Sequence, residues 1–453
     1  MKKLILSILL LSSILANAQF KNQRIKVSEN KRFLVNEDGS PFFYLGDTGW
    51  ELFHRLDREN AEKYLKKRSE QGFTVIQAVA LAEENGLKDP NPYGEVPFVD
   101  LDPTKPNEKY FQHVEYIIDL AAKYGIVIGL LPTWGDKVDK MNWGQGPVVF
   151  TTENARIYGE WLGNRFKDKK NIIWVNGGDR EPQPAHKAVF RALAVGVIKG
   201  VGKRENVVFT FHPPGGHTSS EYFHTDEWLD FNMMQTGHCR DVNVYERIQK
   251  DYNLSPTKPV MDGEPIYEEH PACFNAREHG YSTPTDVRKS AYWGVFAGGH
   301  GHTYGCHPVW QMFSPDKLPV NNPRMPWYGA LDLPGANQMK HLRNLMLSRP
   351  FVTRIPDQSL LTFTQTASPE YVVATRDAAG VYAFVYIPVG KTVNINLDKL
   401  SGSKLKATWY NPRTGETTQA GEIPKKGTKD FTPPTLGKDN DWVLILDDVA
   451  KIK

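Results

Sequence analysis

A (β/α)8 barrel followed by an antiparallel β-sandwich is the fold class this sequence predicts, and three features lead there. Short apolar runs alternate with amphipathic stretches over roughly 260 residues, the usual length of such a barrel. Two of the runs, NIIWVNGGD ending at Asp179 and KPVMDGE ending at Glu264, stop on a carboxylate, as strands do where they open into a barrel mouth. Beyond about Leu347 the helical spacing gives way to short strand-like runs broken by Gly, Pro, Asp and Ser.

In chain order, residues 1–18 read as a targeting segment: Lys2 and Lys3, an apolar stretch from Leu4 to Leu15, and Ala16-Asn17-Ala18 as a small-residue cleavage site. The mature chain is expected to begin at Gln19, exported to the periplasm or the extracellular space without a membrane span or a lipid-bearing Cys. Arg24 to Leu34 alternates around a polar break at Ser28 to Lys31 and predicts a β-hairpin plugging one end of the next domain. Eight barrel strands are then expected: Phe42 to Gly46, Thr74 to Ala80, Ile126 to Leu131, Ile172 to Val175, Val207 to Phe211, Phe231 to Met234, Pro259 to Asp262 and Gly294 to Gly298. Arg58 to Gln71, Tyr110 to Tyr124 and Asn154 to Phe166 carry apolar residues at spacings of three and four, so they predict helices, with Asp57, Thr152 and Thr285 as N-caps. Phe313 to Pro334 is too long for an ordinary connection and suits a loop lining the site. After the last long helix, Ala336 to Leu347, the strands of the sandwich are expected at Leu360 to Thr366, Tyr371 to Thr375, Gly380 to Tyr386, Thr392 to Leu397, Lys404 to Asn411 and Asp441 to Leu446. The barrel domain is thus assigned 19–347 and the sandwich 348–453.

Composition narrows the partners. With 55 basic and 52 acidic residues the formal charge is +3, and no basic tract interleaved with aromatics suggests nucleic acid. The 11 Trp, 19 Tyr and 22 Phe supply faces that stack on sugar rings as well as core. Three cysteines, Cys239, Cys273 and Cys306, allow one disulfide at most and have no C-x-x-C spacing.

Glycosidic cleavage needs one carboxylic acid to protonate the leaving oxygen and one carboxylate to attack the anomeric carbon or activate water. Asp179, after two glycines, is assigned acid/base, and Glu264, after PVMDG, nucleophile. Glu181 and Asp262, each two residues away, remain rivals, and a lone acid after a strand also serves as a cap or turn residue. The other strand ends carry sugar-binding residue types: Asp47 and Trp50, Trp134, His212, Gln235 with His238, and the segment His300 to His307, from which His302 is selected. A zinc ion held by His212, His300, His302 and His307 is the competing reading of those histidines. The absence of an H-E-x-x-H pattern argues against it, and neither a metal nor another cofactor is expected. No G-x-S-x-G elbow points to a serine hydrolase.

The runs YLGDTGWELFHRL, NPYGEVPFVDLDPTKPNEKYFQHVEYIIDLAAKYGIVIGLLPTWGD, NIIWVNGGDR and PVMDGEPIYE resemble the apiosidases of glycoside hydrolase family 140, and WYNPRTGE resembles the domain labelled "collagen-binding" in related proteins. The resemblance spans nearly the whole mature chain. It implies a barrel with a C-terminal sandwich that cleaves apiose from galacturonic acid in the pectin rhamnogalacturonan II, with Asp179 and Glu264 matching the family's catalytic pair. Retention of configuration is inferred from similarity to other barrels with acids after strands four and seven. An acidic polysaccharide partner would favour basic groups at the mouth, for which Arg180, Lys137 and Arg240 stand in suitable positions. A barrel hydrolase on another plant or bacterial glycan, or a non-catalytic carbohydrate-binding protein, are the alternatives.

Overall fold

The computed structural model describes residues 23–452, so the targeting segment at 1–18 lies outside the described residues. A hairpin of β1 (Ile25–Val27) and β2 (Leu34–Asn36) opens the chain. Ile25 and Leu34 pack with Phe42, Val75, Val127 and Ile173 near the strand starts, which stoppers the N-terminal end of the barrel and leaves the opposite end as its mouth.

Eight parallel strands follow: β3 (Tyr44–Thr48), β4 (Val75–Val79), β5 (Val127–Leu131), β6 (Ile172–Gly177), β7 (Phe209–His212), β8 (Asn232–Met234), β9 (Val260–Asp262) and β10 (Gly301–Tyr304). They are ordered β7-β6-β5-β4-β3-β10-β9-β8, and the ends of that series meet where Asp230 N–H donates to Phe209 O (2.8 Å) and the Thr210 hydroxyl to Phe231 O (2.7 Å). Side chains alternate as the pleat requires. Val75, Val79, Val127, Leu131, Ile173 and Val175 fill the interior, and Leu45, Ile76, Ala78, Ile128, Leu130 and Trp174 face the helices.

The last barrel strand differs from expectation. Gly294 to Gly298 ends the helix Pro284–Phe296 and turns out of it at Gly298 (φ 123°), and the strand is the more polar Gly301–Tyr304. Its apolar content made the helix end resemble a strand. Helix caps also shift slightly: Asp57 caps the helix Arg58–Glu70 by accepting from Asn60 N–H (2.8 Å), whereas Thr151 and Thr283, rather than Thr152 and Thr285, form capping boxes with Asn154 and Asp286.

Behind β6, the helices Thr152–Phe166 and Pro184–Val201 run in near backbone contact. A methyl group on Gly159, Gly163, Gly196 or Gly200 would sit 2.1–2.4 Å from a carbonyl oxygen of the facing helix, so only glycine permits this approach.

The C-terminal part forms a six-stranded antiparallel sheet, β11 (Arg354–Pro356), β12 (Val373–Asp377), β13 (Tyr382–Ile387), β18 (Trp442–Asp448), β15 (Lys404–Tyr410) and β16 (Thr417–Pro424) in that order, covered by the pair β14 (Val393–Asn396) and β17 (Thr428–Phe431). Leu360 to Thr366, expected as a strand, is a short 3-10 turn and irregular chain with one isolated bridge at Leu361. One face of the larger sheet, including Val373, Phe384, Tyr386 and Ile445, shares an apolar cluster with the barrel helices, and the other, including Ala374, Val385, Trp409 and Leu444, packs on Ile395 and Phe431. Arg288 on the helix Pro284–Phe296 meets Asp441 in a buried two-pronged ion pair (2.7 and 2.9 Å) across this junction.

Asp47 does not reach the mouth. It was expected at the mouth to hold sugar, but its place on β3 turns it outward, where its carboxylate accepts from Arg68 Nε and from the Tyr64 hydroxyl, both at 2.6 Å and fully buried. Removing one partner of such a pair strands a buried charge. Asp47→Ala is therefore expected to lower stability by about 3–5 kcal/mol, read as a reduced urea midpoint at unchanged m-value. An unshifted midpoint would contradict the role.

Candidate active site

β6 and β9 deliver the two acids. At the end of β6, Gly177 (φ 95°), Gly178 (φ 111°) and Asp179 (φ 54°) all adopt left-handed backbone, a sequence of turns that swings the Asp179 carboxyl over the mouth. The turn has no room for side chains at the glycines, since a methyl on Gly178 would lie 2.7 Å from the Trp134 ring. Asp179 keeps 31% of its side chain exposed. Arg180 Nη1 donates to the Asp179 carbonyl (2.8 Å) and approaches its carboxyl (3.4 Å). Glu264 follows β9 and is buried, with His212 Nε2 3.0 Å from Oε2 and His238 Nε2 3.2 Å from Oε1.

These surroundings separate the two acids. Burial, joined by the negative charge of Glu264, raises the Asp179 pKa to about 6. Burial would raise Glu264 as well, but the two imidazoles outweigh it and hold the carboxylate at about 2. Between those values one group carries a proton and the other a negative charge, the division of labour that acid-assisted displacement requires.

Both acids line one cavity of about 740 Å³ at the barrel mouth, with Trp50, Trp134 and Gln235 in its wall. Trp134 Nε1 and Gln235 Oε1 are buried there without a hydrogen-bond partner among the described residues, an arrangement suited to sugar hydroxyls. Trp50 and Trp134 pack against each other (ring centroids 5.2 Å apart) and both against His212 (5.3 and 5.7 Å). His212 lies behind this wall, fully buried against Glu264, and supports the carboxylate instead of lining the cavity.

His302 does not reach the mouth either. The register pairs His302 with Leu45 and Asp262, on the outward face of the barrel, so it does not reach the cavity, and burial pushes its pKa down to about 3. Asp262, the rival to Glu264, also faces outward and accepts from the Thr236 hydroxyl (2.5 Å). Glu181, the rival to Asp179, is exposed and outside the cavity wall. The histidines considered for a metal are likewise dispersed: His212 faces Glu264, His302 faces the helices, and His307 packs against His270 (4.6 Å). Among the described residues no three His, Cys, Asp or Glu side chains converge as a metal-binding group.

Arg180, Lys137 and Arg240 are all engaged elsewhere. Arg180 is buried against Asp179 and Asp139, Lys137 is buried against Asp136 (2.7 Å), and Arg240 pairs with Asp286 (3.1 Å). The described cavity wall holds no Lys or Arg.

The wall also holds groups the sequence reading passed over. Glu83 and Glu84 descend from the loop after β4. Burial and the charges of Asp179, Glu84 and Asp136 push Glu83 well above the usual carboxyl range, and burial with the Glu51 charge raises Glu84 to about 7. His270 stacks on His238 (4.2 Å), extending the imidazole support of Glu264. The Cys239–Cys273 disulfide joins the loops that carry His238 and Phe274, and Cys273 N–H donates to His238 O (2.9 Å), so the loop bearing His238 is pinned from outside. The segment Leu318 to Asn321, within the long Phe313 to Pro334 connection, lines the mouth.

Because Glu264 contributes to the high Asp179 pKa, Glu264→Gln is expected to lower the Asp179 titration midpoint below about 6, as followed by carboxyl 13C NMR of the folded protein. An unchanged midpoint would show that the two acids do not sense each other.

Residues 28–353 match the family model described as "Apiosidase-like, catalytic domain", and residues 355–447 match "Putative collagen-binding domain of a collagenase". Among solved structures, one titled "Glycoside hydrolase" is 37% identical, with 96% of this chain and 98% of that one covered at a TM-score of 0.87. A glycoside hydrolase family 5 structure from Bacteroides vulgatus is 36% identical, with 96% and 94% covered at 0.88. Another glycoside hydrolase structure from the same organism shares the fold at 15% identity, with 95% and 83% covered and a TM-score of 0.70. A search of curated proteins gives no match. With the family model spanning most of the chain and full-length structural relatives that are glycoside hydrolases, the chain belongs to the apiosidase-like family and is a barrel glycoside hydrolase.

Proposed function

We propose that the protein is a family 140 apiosidase, releasing apiose from galacturonic acid in rhamnogalacturonan II. The observation that carries this reading is the placing of Asp179, raised to about 6 by burial, and Glu264, held ionised by two imidazoles, in one cavity of a chain of the apiosidase-like family. The export expected from residues 1–18 is consistent with the Cys239–Cys273 disulfide, a bond that persists in oxidising compartments.

In the first step the Glu264 carboxylate attacks the anomeric carbon. The bond to the leaving oxygen breaks as Asp179 gives that oxygen its proton, and a glycosyl ester on Glu264 results. In the second, Asp179, now a carboxylate, takes a proton from water. The hydroxide character so generated displaces Glu264, and the sugar leaves with its original configuration. Trp50 and Trp134 shape the glycone site, with Trp134 Nε1 and Gln235 Oε1 available to sugar hydroxyls. His212 and His238 keep Glu264 ionised before attack and after release.

The sign of the pH dependence follows from the two carboxyls. Activity needs Asp179 protonated, so it falls as pH rises through about 6, and it needs Glu264 ionised, so it falls as pH drops towards about 2. Initial rates across that range, measured on rhamnogalacturonan II fragments, should trace the two limbs. A rate that keeps increasing above pH 7 would remove Asp179 from the acid role.

Wild-type enzyme is expected to release free apiose from the fragments, with the retained anomer appearing first by 1H NMR. Asp179→Ala and Glu264→Ala are each expected to lose about 100-fold or more of that rate. Cleavage of another glycan with no apiose released would replace the substrate while leaving the pair in place.

A further inference from the structure

Trp143 stands on the loop after β5 and lines the cavity, yet 57% of it is exposed, an unusual state for so large an apolar side chain. It is nevertheless held. The Arg180 guanidinium lies 4.9 Å from its ring centroid, and the same arginine, itself buried, donates to the Asp179 carbonyl and to Asp139 O (3.1 Å). The loop closes tightly on that arginine: a methyl on Gly144 would sit 2.7 Å from Arg180 Nη2, and Gly146 N–H donates to the buried Asp136 carboxyl (2.7 Å). Arg180 therefore holds the indole on a loop anchored to the acid, while more than half of the side chain stays open and lines the cavity.

Position decides which part of a substrate meets the indole. Asp179 delivers its proton to the leaving oxygen, so a platform tied to Asp179 lies on the leaving-group side, apart from Phe274, which packs on the histidines behind Glu264 (5.5 Å from His238, 4.9 Å from His270). We propose that Trp143 is the platform of the leaving-group subsite, where the departing pyranose lies flat on the exposed indole while Asp179, joined to the same arginine, protonates its oxygen. This rests on the acid/base assignment of Asp179 made above.

The chemistry of the wall specifies what is recognised. Glu83, Glu84, Asp179 and Glu264 line the cavity and no described Lys or Arg does, so the ring is held by its carbon face and not by charge. The ligand class is a pyranose, with or without a carboxylate, and the neutral ring binds no more weakly than the uronate at neutral pH. Holding the indole in place before binding reduces the ordering cost that a mobile exposed side chain would incur.

Two measurements test this. Methyl galactopyranoside and methyl galactopyranosiduronate are titrated into wild type, Trp143→Ala and Trp143→Phe by saturation-transfer NMR. Binding of both rings to wild type, weakened about tenfold or more by alanine and largely restored by phenylalanine, is expected. Equal binding by all three proteins overturns the platform, and a uronate preferred by tenfold or more overturns recognition by the ring face. In the second measurement, the kcat/KM losses of Trp143→Ala are compared on rhamnogalacturonan II fragments and on apiosyl fluoride, whose leaving group has no ring. The loss on the fragments is expected to exceed that on the fluoride by at least tenfold, and equal losses refute the placement. If wild type turns over neither substrate but still binds the two glycosides through Trp143, the apiosidase reading fails and the platform stands.

Discussion

A buried carboxylate remains ionised only where something answers its charge, and at Glu264 two imidazoles do so from opposite oxygens. Much of the mouth follows from that contact. The charge preserved on Glu264 helps keep a proton on Asp179, while Glu83 on the same wall is pushed above the usual carboxyl range chiefly by its own burial. His212 is clamped between Glu264 and the two tryptophans, so the wall of the cavity also orients the ring that steadies the Glu264 carboxylate. His238 is steadied from outside by His270 and by the disulfide loop. A change at any of these residues therefore reaches chemistry that it does not touch.

Position matters as much as charge. Asp179 reaches the mouth through three consecutive left-handed residues, and Trp134 lies against the Gly178 turn closely enough to exclude any other residue there. The strand leading to that turn is backed by helices in near backbone contact along four glycines. Little slack remains between the outer layer of the barrel and the acid. Arg180 continues the same economy of space on the other side, using one side chain to brace the acid, the loop after β5 and an exposed indole.

Seven of the barrel strands were legible because their cores, such as Val127–Leu131 and Ile172–Gly177, are apolar runs that water disfavours. The eighth was not, since GHTY is polar while the apolar residues before it belong to a helix end. The same polarity misplaced His302: a slip of one residue in a strand decides which face a side chain takes, and its ring points to the helices. Asp47 failed for a related reason, because an acid near a strand end looks alike from either side of the sheet until its partner Arg68 is seen. Glu83 gave no signal at all, being a loop acid whose importance comes from neighbours distant in sequence. In the C-terminal sheet β16 was missed because six of its first seven residues are exposed, leaving no alternation to read.

The shared apolar layer between the barrel helices and the C-terminal sheet bears on how such a chain can change over generations. Arg288 and Asp441 meet inside that layer, and Tyr386 donates to the same carboxylate (3.1 Å). One face of the sheet is thus a wall of the barrel and not a free docking surface for collagen or any other fibre. The two parts depend on each other: exchanging the sheet alone would leave Arg288 buried without its Asp441 counter-charge, and deleting it would open the helices around Tyr292 and Phe296 to solvent. The mouth residues Trp50, Trp143 and Leu318 take no part in that seam, so contacts with substrate can change without disturbing it.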